Sequence, residues 1–234
     1  MHEEIKTITL LLPDHLGSVN CYLINTPIGF ILVDTGYPGI RAKLEKQLED
    51  AGCRPGGLLL IIITHGDSDH SGNAKYLREK FGGKIAIHPL EAGTVEHGDA
   101  AQSRTRSRFQ RFLDPVVLAL FSIFFNLGKP EKLKPDLLVG EGFDIASFGW
   151  AARVIHLPGH SRGSIGILSA KGDLFCGDLL WNRKKPGPQP MLDNKADFKA
   201  SLGRLSQLDI TTVYPGHGAP FSMELLRSSY NKSV

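Results

Sequence analysis

The sequence is poor in several features that would place a protein in a specialised class. Its 234 residues include only three cysteines, Cys21, Cys53 and Cys176, and none lie in a C-x-x-C pair, which argues against a disulfide framework. The formal net charge of +3 is too small to indicate nucleic-acid or membrane binding by itself. The first residues lack a basic stretch followed by an apolar one, so no secretory signal is expected. The protein is therefore predicted to be cytoplasmic.

Long hydrophobic runs are also missing. The longest strongly apolar stretch, residues 116–127, contains Ser122 and Asn126 and is shorter than the roughly 20 residues that a membrane-spanning helix needs. Hydrophobic residues make up 41% of the chain and charged residues 22%, which is ordinary for a globular protein. We expect one domain over residues 1–234, without a stable membrane anchor.

What the sequence does contain is a regular alternation of apolar runs and amphipathic segments. Residues 41–51, with Leu44 and Leu48 on one face, predict a helix, and Ser71 is predicted to cap a second helix over residues 72–81. Because the second half of the chain repeats this rhythm, we predict a layered α/β domain. The predicted strands cover residues 5–12, 21–25, 30–33, 58–63, 84–88, 151–157, 164–168, 173–176 and 211–214, and two later helices cover residues 196–207 and 222–230.

Residues 91–135 interrupt this alternation and are predicted to form a helical insertion over the active site. The segment contains a basic stretch with Arg104, Arg106, Arg108 and Arg111, followed by the apolar residues 115–127. A packing helix or a dimer interface is a simpler explanation of the apolar face, and the arginines are most often a solvated surface. A homodimer is therefore left open.

The most informative feature of the sequence is the run His65-Gly66-Asp67-Ser68-Asp69-His70. It packs four potential metal ligands into six residues, directly after the apolar residues 58–63. Residues two apart on an extended chain point the same way, so His65 and Asp67 can face one ion. Asp69 and His70 lie past the bend and can reach a second ion. The run therefore predicts a two-metal hydrolytic centre.

Three later residues follow apolar strands in the same way. His160, Asp178 and His217 each stand next to a glycine, which lets the backbone turn sharply and approach closely. Any one of them alone would be explained better as an ordinary surface or core residue. Their recurrence in one context makes coincidence a poor explanation, so we predict that all three join the centre.

Together these motifs resemble the metallo-β-lactamase-fold hydrolase superfamily, whose signature is H-x-H-x-D-H followed by a distant His, Asp and His. The resemblance begins at Val33-Asp34-Thr35-Gly36, ends at His217 and leaves out only residues 91–135. It implies a mixed α/β (α+β) fold, namely an αββα four-layer sandwich, with the site at one edge of two sheets. It also implies two divalent metal ions.

The resemblance gives each of these residues a role. Asp69, beside the hydroxide shared by the two ions, would be catalytic by orienting that hydroxide and shuttling a proton. Asp34 would hydrogen-bond the ligand loops and hold their geometry, and it also suits a turn at the end of a strand. The implied ligands of the first ion are His65, Asp67 and His160, those of the second ion are Asp69, His70 and His217, and Asp178 would bridge the two.

Asp67 departs from the family signature, which usually has a histidine at this position. A carboxylate is a harder, anionic ligand than imidazole, so it weakens the preference for zinc and favours iron or manganese. Zinc is the metal that the family implies, and some branches of the family carry an acidic residue here. The alternative is that Asp67 turns away and leaves the first metal site weak or empty.

The expected function is metal-dependent hydrolysis of a small-molecule substrate, in which a metal-bridged hydroxide attacks an ester, thioester or lactone carbonyl. The apolar part of the insertion suggests a partly hydrophobic acyl group. A serine or cysteine nucleophile is not expected. The residues that carry the apolar character are Val116, Val117, Leu120, Phe121 and Phe124.

Two alternative functions remain at this level. A phosphodiesterase or phosphonate hydrolase is favoured by the arginine-rich stretch and by Arg183, Lys184 and Lys185, but a nuclease would carry more positive charge, and no nucleic-acid partner is expected. A diiron redox protein is permitted by the acidic ligand. With no flavodoxin-like domain in the sequence, it would depend on a separate electron donor.

Overall fold

The computed structural model describes residues 3–11, 17–98, 128 and 131–231. The first sheet has six strands that follow one another in chain order. Its first three strands pair antiparallel, and the third to the sixth run parallel. The strands are β1 (Glu4–Leu11), β2 (Ser18–Thr26), β3 (Gly29–Val33), β4 (Leu58–Ile62), β5 (Lys84–Ile87) and β6 (Leu137–Leu138).

The second sheet has five strands in the order β13-β12-β9-β8-β7. Only β12 and β9 pair in parallel, and the other neighbours are antiparallel. A separate two-stranded hairpin, β10 (Leu180–Trp181) with β11 (Gly187–Pro188), follows β9. The sheet strands are β7 (Ala152–His156), β8 (Ile165–Ser169), β9 (Asp173–Gly177), β12 (Thr212–Pro215) and β13 (Phe221–Ser222).

Alternating side chains on the strands build separate cores on the two faces of each sheet. On β2, Tyr22 and Ile24 point into a core shared with Trp150 and Phe175 of the second half of the chain, so the two sheets lie face to face. Cys21 and Leu23 point the other way, toward the helices. Both faces of the strand are thus buried, which explains its continuous apolar sequence.

Helices cover the outer face of each sheet. Leu44, Leu77 and Phe81 pack on the first sheet, and Leu205 and Met223 pack on the second. Each apolar side chain that leaves water in this way stabilises the fold by roughly 1.5–3 kcal/mol. The layers run helix, sheet, sheet, helix, so the predicted αββα sandwich is confirmed. The described helices are α1 (Arg41–Asp50), α2 (Ser68–Ser71), α3 (Ala74–Phe81), α4 (Pro89–His97), α5 (Lys195–Leu205) and α6 (Met223–Asn231).

The predicted helix over residues 72–81 is wrong at its start. The chain first winds into the short α2, and α3 begins at Ala74 with Asn73 before it. The Ser71 hydroxyl donates to the carbonyls of Gly66 and Asp67, so Ser71 closes the ligand loop and does not cap α3. The Asn73 amide donates to the carbonyls of Thr35 and Tyr37 and fixes this loop to the turn after β3.

The predicted insertion over residues 91–135 lies mostly outside the described residues, as do its arginines and its apolar residues. Its described beginning belongs to α4, which starts at Pro89, two residues before the predicted boundary. The extent of the insertion and its position over the site stay predictions. In the part of the chain that the structure describes, no helix has both the length and the apolar character needed to cross a bilayer.

Candidate metal centre

The predicted ligands follow strands that end at one edge of the sandwich. His65 comes after β4, His160 after β7, Asp178 after β9 and His217 after β12. Asp67 is the residue that precedes α2, and Asp69 and His70 lie within this helix. The structure brings all seven predicted ligands together at this edge.

Three of these side chains form a group that we call the first trio, namely His65, Asp67 and His160. The Asp67 carboxylate lies 3.2 Å from His160 Nε2 and 3.6 Å from His65 Nε2. Asp67 therefore turns toward the two histidines and not away from them. Both histidines are buried, while 17% of the Asp67 side chain is exposed, so one ligand of this trio reaches the solvent side.

The second trio consists of Asp69, His70 and His217. The Asp69 carboxylate lies 3.3 Å from His217 Nε2 and 3.7 Å from His70 Nε2. His70 is fully buried, and the Asp69 and His217 side chains are each 16% exposed. The second trio is thus as compact as the first.

The Asp178 carboxylate lies between the two trios. Its Oδ1 is 3.3 Å from His70 Nε2, and its Oδ2 is 3.4 Å from His217 Nε2 and 3.9 Å from His160 Nε2. One buried side chain therefore reaches histidines of both trios. This is the position from which a single carboxylate can contact two ions.

The donor set fits divalent ions. Ligand atoms about 2.0–2.2 Å from a four-coordinate ion lie roughly 3.3–3.6 Å from one another, and the separations above cluster around that range. Among the described residues, His65 Nε2, His70 Nε2 and Asp178 Oδ1 are buried without a hydrogen-bond partner. Buried polar atoms are rarely left unsatisfied, and ions held by the two trios would satisfy all three.

Hydrogen bonds at the far side of each ring fix how the histidines point. His160 Nδ1 donates to the Met191 carbonyl at 2.6 Å, and His217 Nδ1 donates to the Ser18 carbonyl at 2.6 Å. A carbonyl can only accept, so Nδ1 carries the proton and Nε2 presents its lone pair to the centre in the neutral ring. This lone pair faces carboxylates, so a proton or a cation must lie between them.

The Asp34 carboxylate is hydrogen-bonded to the ligand loop. Its Oδ2 accepts from His70 Nδ1 at 2.7 Å and from the Thr64 hydroxyl at 2.8 Å, and its Oδ1 accepts from the Thr64 amide at 2.8 Å. The same hydroxyl lies 3.1 Å from His65 Nδ1. Asp34 has a φ of 61°, the only positive value among the described non-glycine residues, and aspartate tolerates this conformation better than most residues.

The charges of the centre depend on one another. Burial alone would lower the pKa of His217, but the Asp178 and Asp69 carboxylates outweigh it and raise this pKa to about 10. His70 behaves in the same way, with Asp34 as the strongest of the carboxylates that raise its pKa. Burial raises the pKa of Asp178, but the two histidines hold it well below the usual range. In the protein without ions, protons on these two histidines thus offset part of the charge of the carboxylates.

Sequence reasoning missed two polar side chains at this edge. The Gln189 amide donates to Asp178 Oδ2 at 2.9 Å, so the segment after β11 orients the central carboxylate. Burial and the nearby Asp69, Asp67 and Asp178 carboxylates raise the pKa of Tyr37, which keeps its phenol protonated. Glutamine and tyrosine in loops carry no sequence signal of their own, so only the three-dimensional arrangement identifies them.

Comparison with known proteins agrees with this site. The profile of the Metallo-beta-lactamase superfamily matches residues 15–217, a span that includes every predicted ligand. The chain belongs to the metallo-β-lactamase superfamily. The resemblance seen in the motifs is therefore confirmed, and the protein is a metal-dependent hydrolase of this superfamily.

Individual relatives and structures are similar over most of the chain. The "Acyl-coenzyme A thioesterase MBLAC2" of Gallus gallus is 31% identical over 88% of this chain and 75% of its own length. The "Probable metallo-hydrolase YqjP" of Bacillus subtilis is 27% identical over 94% and 73%. The crystal structure of TTHA1623 in a di-iron-bound form has a TM-score of 0.68 and 29% identity over 95% of this chain and 96% of that one.

Proposed function

We propose that the protein is a binuclear-metal-dependent hydrolase that cleaves an ester, thioester or lactone carbonyl. The observation that carries the proposal is the position of Asp178, whose carboxylate lies within 3.9 Å of histidines from both trios. A site for a single ion would need only one trio and no shared carboxylate. The first trio would hold one ion, the second trio would hold the other, and Asp178 would contact both.

The protein supplies positions and proton acceptors for this chemistry. When bound, two divalent ions acidify a shared water and stabilise the negative charge that develops on the substrate oxygen. Asp69 belongs to the second trio and is partly exposed, so its carboxylate can orient the attacking water and accept its proton. The protonated phenol of Tyr37 is a hydrogen-bond donor near the same carboxylates.

A covalent route through Cys176, two residues before Asp178, is disfavoured by the environment of its thiol. Cys176 is buried, and burial raises the pKa of its thiol to about 12, so the reactive thiolate is scarce at neutral pH. Ser161, beside His160, donates its hydroxyl hydrogen to the buried Glu91 carboxylate at 2.8 Å. Compared with the side chains described near the centre, an activated water is therefore the best nucleophile.

Within the carbonyl class, a thioester of an apolar acyl group is the best candidate. The relative of Gallus gallus, at 31% identity, is named as an acyl-coenzyme A thioesterase. In addition, the Met191 side chain is 60% exposed on the segment whose carbonyl holds His160. An exposed thioether on this segment would offer an apolar, adaptable surface to an acyl group.

The first trio also bears on the choice of metal. Asp67 makes this trio a harder set of metal ligands than three histidines would be, and harder ligands favour iron or manganese over zinc at this position. A structural neighbour at 29% identity is described in a di-iron-bound form. We therefore propose that the protein accepts iron as well as zinc, which elemental analysis of the purified protein would test.

The experiment that tests the function compares four substrates on protein that is loaded with one metal at a time. Protein stripped with a chelator is reloaded with Zn²⁺, Fe²⁺ or Mn²⁺ and assayed with acetyl- and palmitoyl-coenzyme A, p-nitrophenyl acetate and bis-p-nitrophenyl phosphate. We expect metal-dependent hydrolysis of the esters and thioesters, with the long acyl chain preferred. Cleavage of the phosphodiester alone would instead support phosphodiesterase chemistry, and oxygen consumption without hydrolysis would support a redox protein.

A further inference from the structure

A second buried carboxylate lies beside the centre but belongs to none of its ligand groups. Glu91, in the first turn of α4, is 0% exposed. No ion pair to Glu91 is found among the described residues, so hydrogen bonds must satisfy its carboxylate. Glutamate is seldom fully buried without a cationic partner, which makes this position unusual.

Three donors surround the Glu91 carboxylate, and they come from two different loops. Oε2 accepts from the Gly66 amide at 2.9 Å. Oε1 accepts from the Ser161 hydroxyl at 2.8 Å and from the Gly163 amide at 3.0 Å. The carboxylate therefore ties the loop after β4 to the loop after β7.

Both loops carry ligands of the first trio and meet the carboxylate right beside those ligands. Gly66 stands between His65 and Asp67, and Ser161 follows His160 directly. None of the three hydrogen bonds involves a neighbour of His217, which is held from the other side by the Ser18 carbonyl. The carboxylate therefore joins the two loops at the residues next to the first-trio ligands, whereas Asp69 and His70 follow three and four residues after Gly66 on the same loop.

We propose that Glu91 is a positioning residue that sets the spacing of the first trio and thereby its affinity for the first ion. The inference rests on the binuclear site of the proposed function. It adds a residue at the boundary of the sequence-predicted insertion, where the motifs indicated no site residue. Glu91 acts through the two loops, since its oxygens are occupied by the three donors.

The surroundings of Glu91 are built for close contact. A Cβ atom on Gly66 would lie 2.6 Å from Thr94 Cγ2, and one on Gly163 would lie 2.6 Å from Glu91 Cγ. Glycine at both positions thus lets α4 touch the two loops. Glu91 is also the third residue of the helix, near its partly positive N-terminus, which helps to stabilise a buried carboxylate.

The substitution Glu91→Gln isolates the hydrogen bonds from the packing. Glutamine has nearly the same volume, so the packing of this side chain against Gly66 and Gly163 is retained. However, all three partners of Glu91 are used as donors, two of them backbone amides that cannot accept. In either orientation of the amide, its NH₂ group faces a backbone N–H, so one loop loses its partner.

The test measures the affinity of the full chain for each of two successive metal ions after a chelator has removed bound metal. Zn²⁺ is titrated in competition with a chromophoric chelator, and the visible spectrum of bound Co²⁺ is a second readout. The step that disappears in Asp67→Ala identifies the first ion. We expect Glu91→Gln to weaken that step by about 10–100-fold, the usual effect of a lost partner behind a metal ligand, and to leave the other step within about twofold. In the Asp67→Ala background, Glu91→Gln should change nothing further.

Two further variants keep the test decisive. Glu96→Gln makes the same chemical change at an exposed position of the same helix and should bind both ions like the parent protein. Ser161→Ala removes a single donor and should weaken the same step by a smaller factor, even if Glu91→Gln does not fold. Unchanged affinities in Glu91→Gln, or an equal loss at both steps, would overturn the inference. If the parent protein itself binds one ion, the binuclear proposal fails before any variant is measured.

Discussion

The two trios differ mainly in the parts of the molecule that hold them. The second trio is held by groups next to strands of the first sheet, namely Asp34 after β3 and the Ser18 carbonyl at the start of β2. The first trio is held partly next to the same sheet, since the Thr64 hydroxyl that donates to Asp34 lies against His65 Nδ1. It is also held from outside the sheets, by Glu91 on α4 and by the Met191 carbonyl after β11. Peripheral segments therefore contribute to the first trio, whereas the identified partners of the second trio lie next to the sheet.

This difference indicates which part of the site can vary in metal choice and substrate preference. Partners next to the first sheet hold His70 and His217, so the proposed second ion and Asp69, the proposed catalytic residue, should be insensitive to changes at the periphery. The first trio contains Asp67, the proposed atypical ligand, and depends in part on segments that lie outside the two sheets. Metal choice and substrate preference should therefore be adjusted at the first trio, and the following predictions are ordered by how strongly they affect the contrast.

The strongest test removes the residue that both trios share. Asp178→Asn keeps the size of the side chain but removes the charge and one acceptor oxygen, so we expect both ions to be lost and hydrolysis to fall to background. Elemental analysis and activity of the same preparation measure this. Asp209→Asn, an exposed aspartate, is the matched control. Retention of one full ion in Asp178→Asn would show that the carboxylate serves a single trio.

A smaller and selective effect is expected at Asp67. Asp67→Ala should deplete the first ion, and activity should drop by more than the ~10–100-fold that is typical of residues behind a ligand. Asp67→His restores a ligand of the softer kind, so it should recover binding and shift the preference toward zinc. Competition between Zn²⁺ and Fe²⁺ with elemental analysis checks both variants. Unchanged metal content in Asp67→Ala would refute its assignment as a ligand.

The substitution Asp34→Asn tests the second trio. Asparagine accepts the positive φ of this position, so the turn after β3 should be retained. Its NH₂ group must face a donor, either on Thr64 or on His70, so the orientation of His70 is weakened. We expect the affinity for the second ion to fall by about 10–100-fold, with the first ion affected less. A selective loss of the first ion would reverse the contrast between the trios.

The fold and the ligands could be predicted because both leave local signals in the sequence. Continuous apolar runs such as residues 58–63 predict buried strands, and ligands placed straight after strands predict one shared edge. The predicted start of α3 was wrong because Ser71, although serine often caps helices, donates its hydroxyl hydrogen to carbonyls of the ligand loop. Glu91 could not be predicted, because a glutamate in the first turn of a helix is common, and its three donors come from residues 25 to 72 positions away.

The effect that bears least on the contrast between the trios is a proton linkage at His217. Burial lowers its pKa, but Asp178 and Asp69 raise it to about 10 in the protein without ions, so at pH 7 its Nε2 carries a proton. An ion must displace that proton, so the affinity for the second ion should rise with pH by up to about tenfold per unit until pH 10. The raised pKa also means that this contribution to the stability of the metal-free protein is complete below about pH 6.5 and disappears as the pH rises through 10.

Calorimetric titration of Zn²⁺ at pH 7.5, in buffers with different ionisation enthalpies, counts the protons released. We expect the second step to release protons and His217→Gln to release fewer of them, since only the proton on His70 remains to be displaced. The second step should release more protons than the first, because the Asp34, Asp69 and Asp178 carboxylates raise the pKa of His70 and of His217. Equal proton release in both steps would mean that the two trios, although held by different parts of the fold, are electrostatically equivalent.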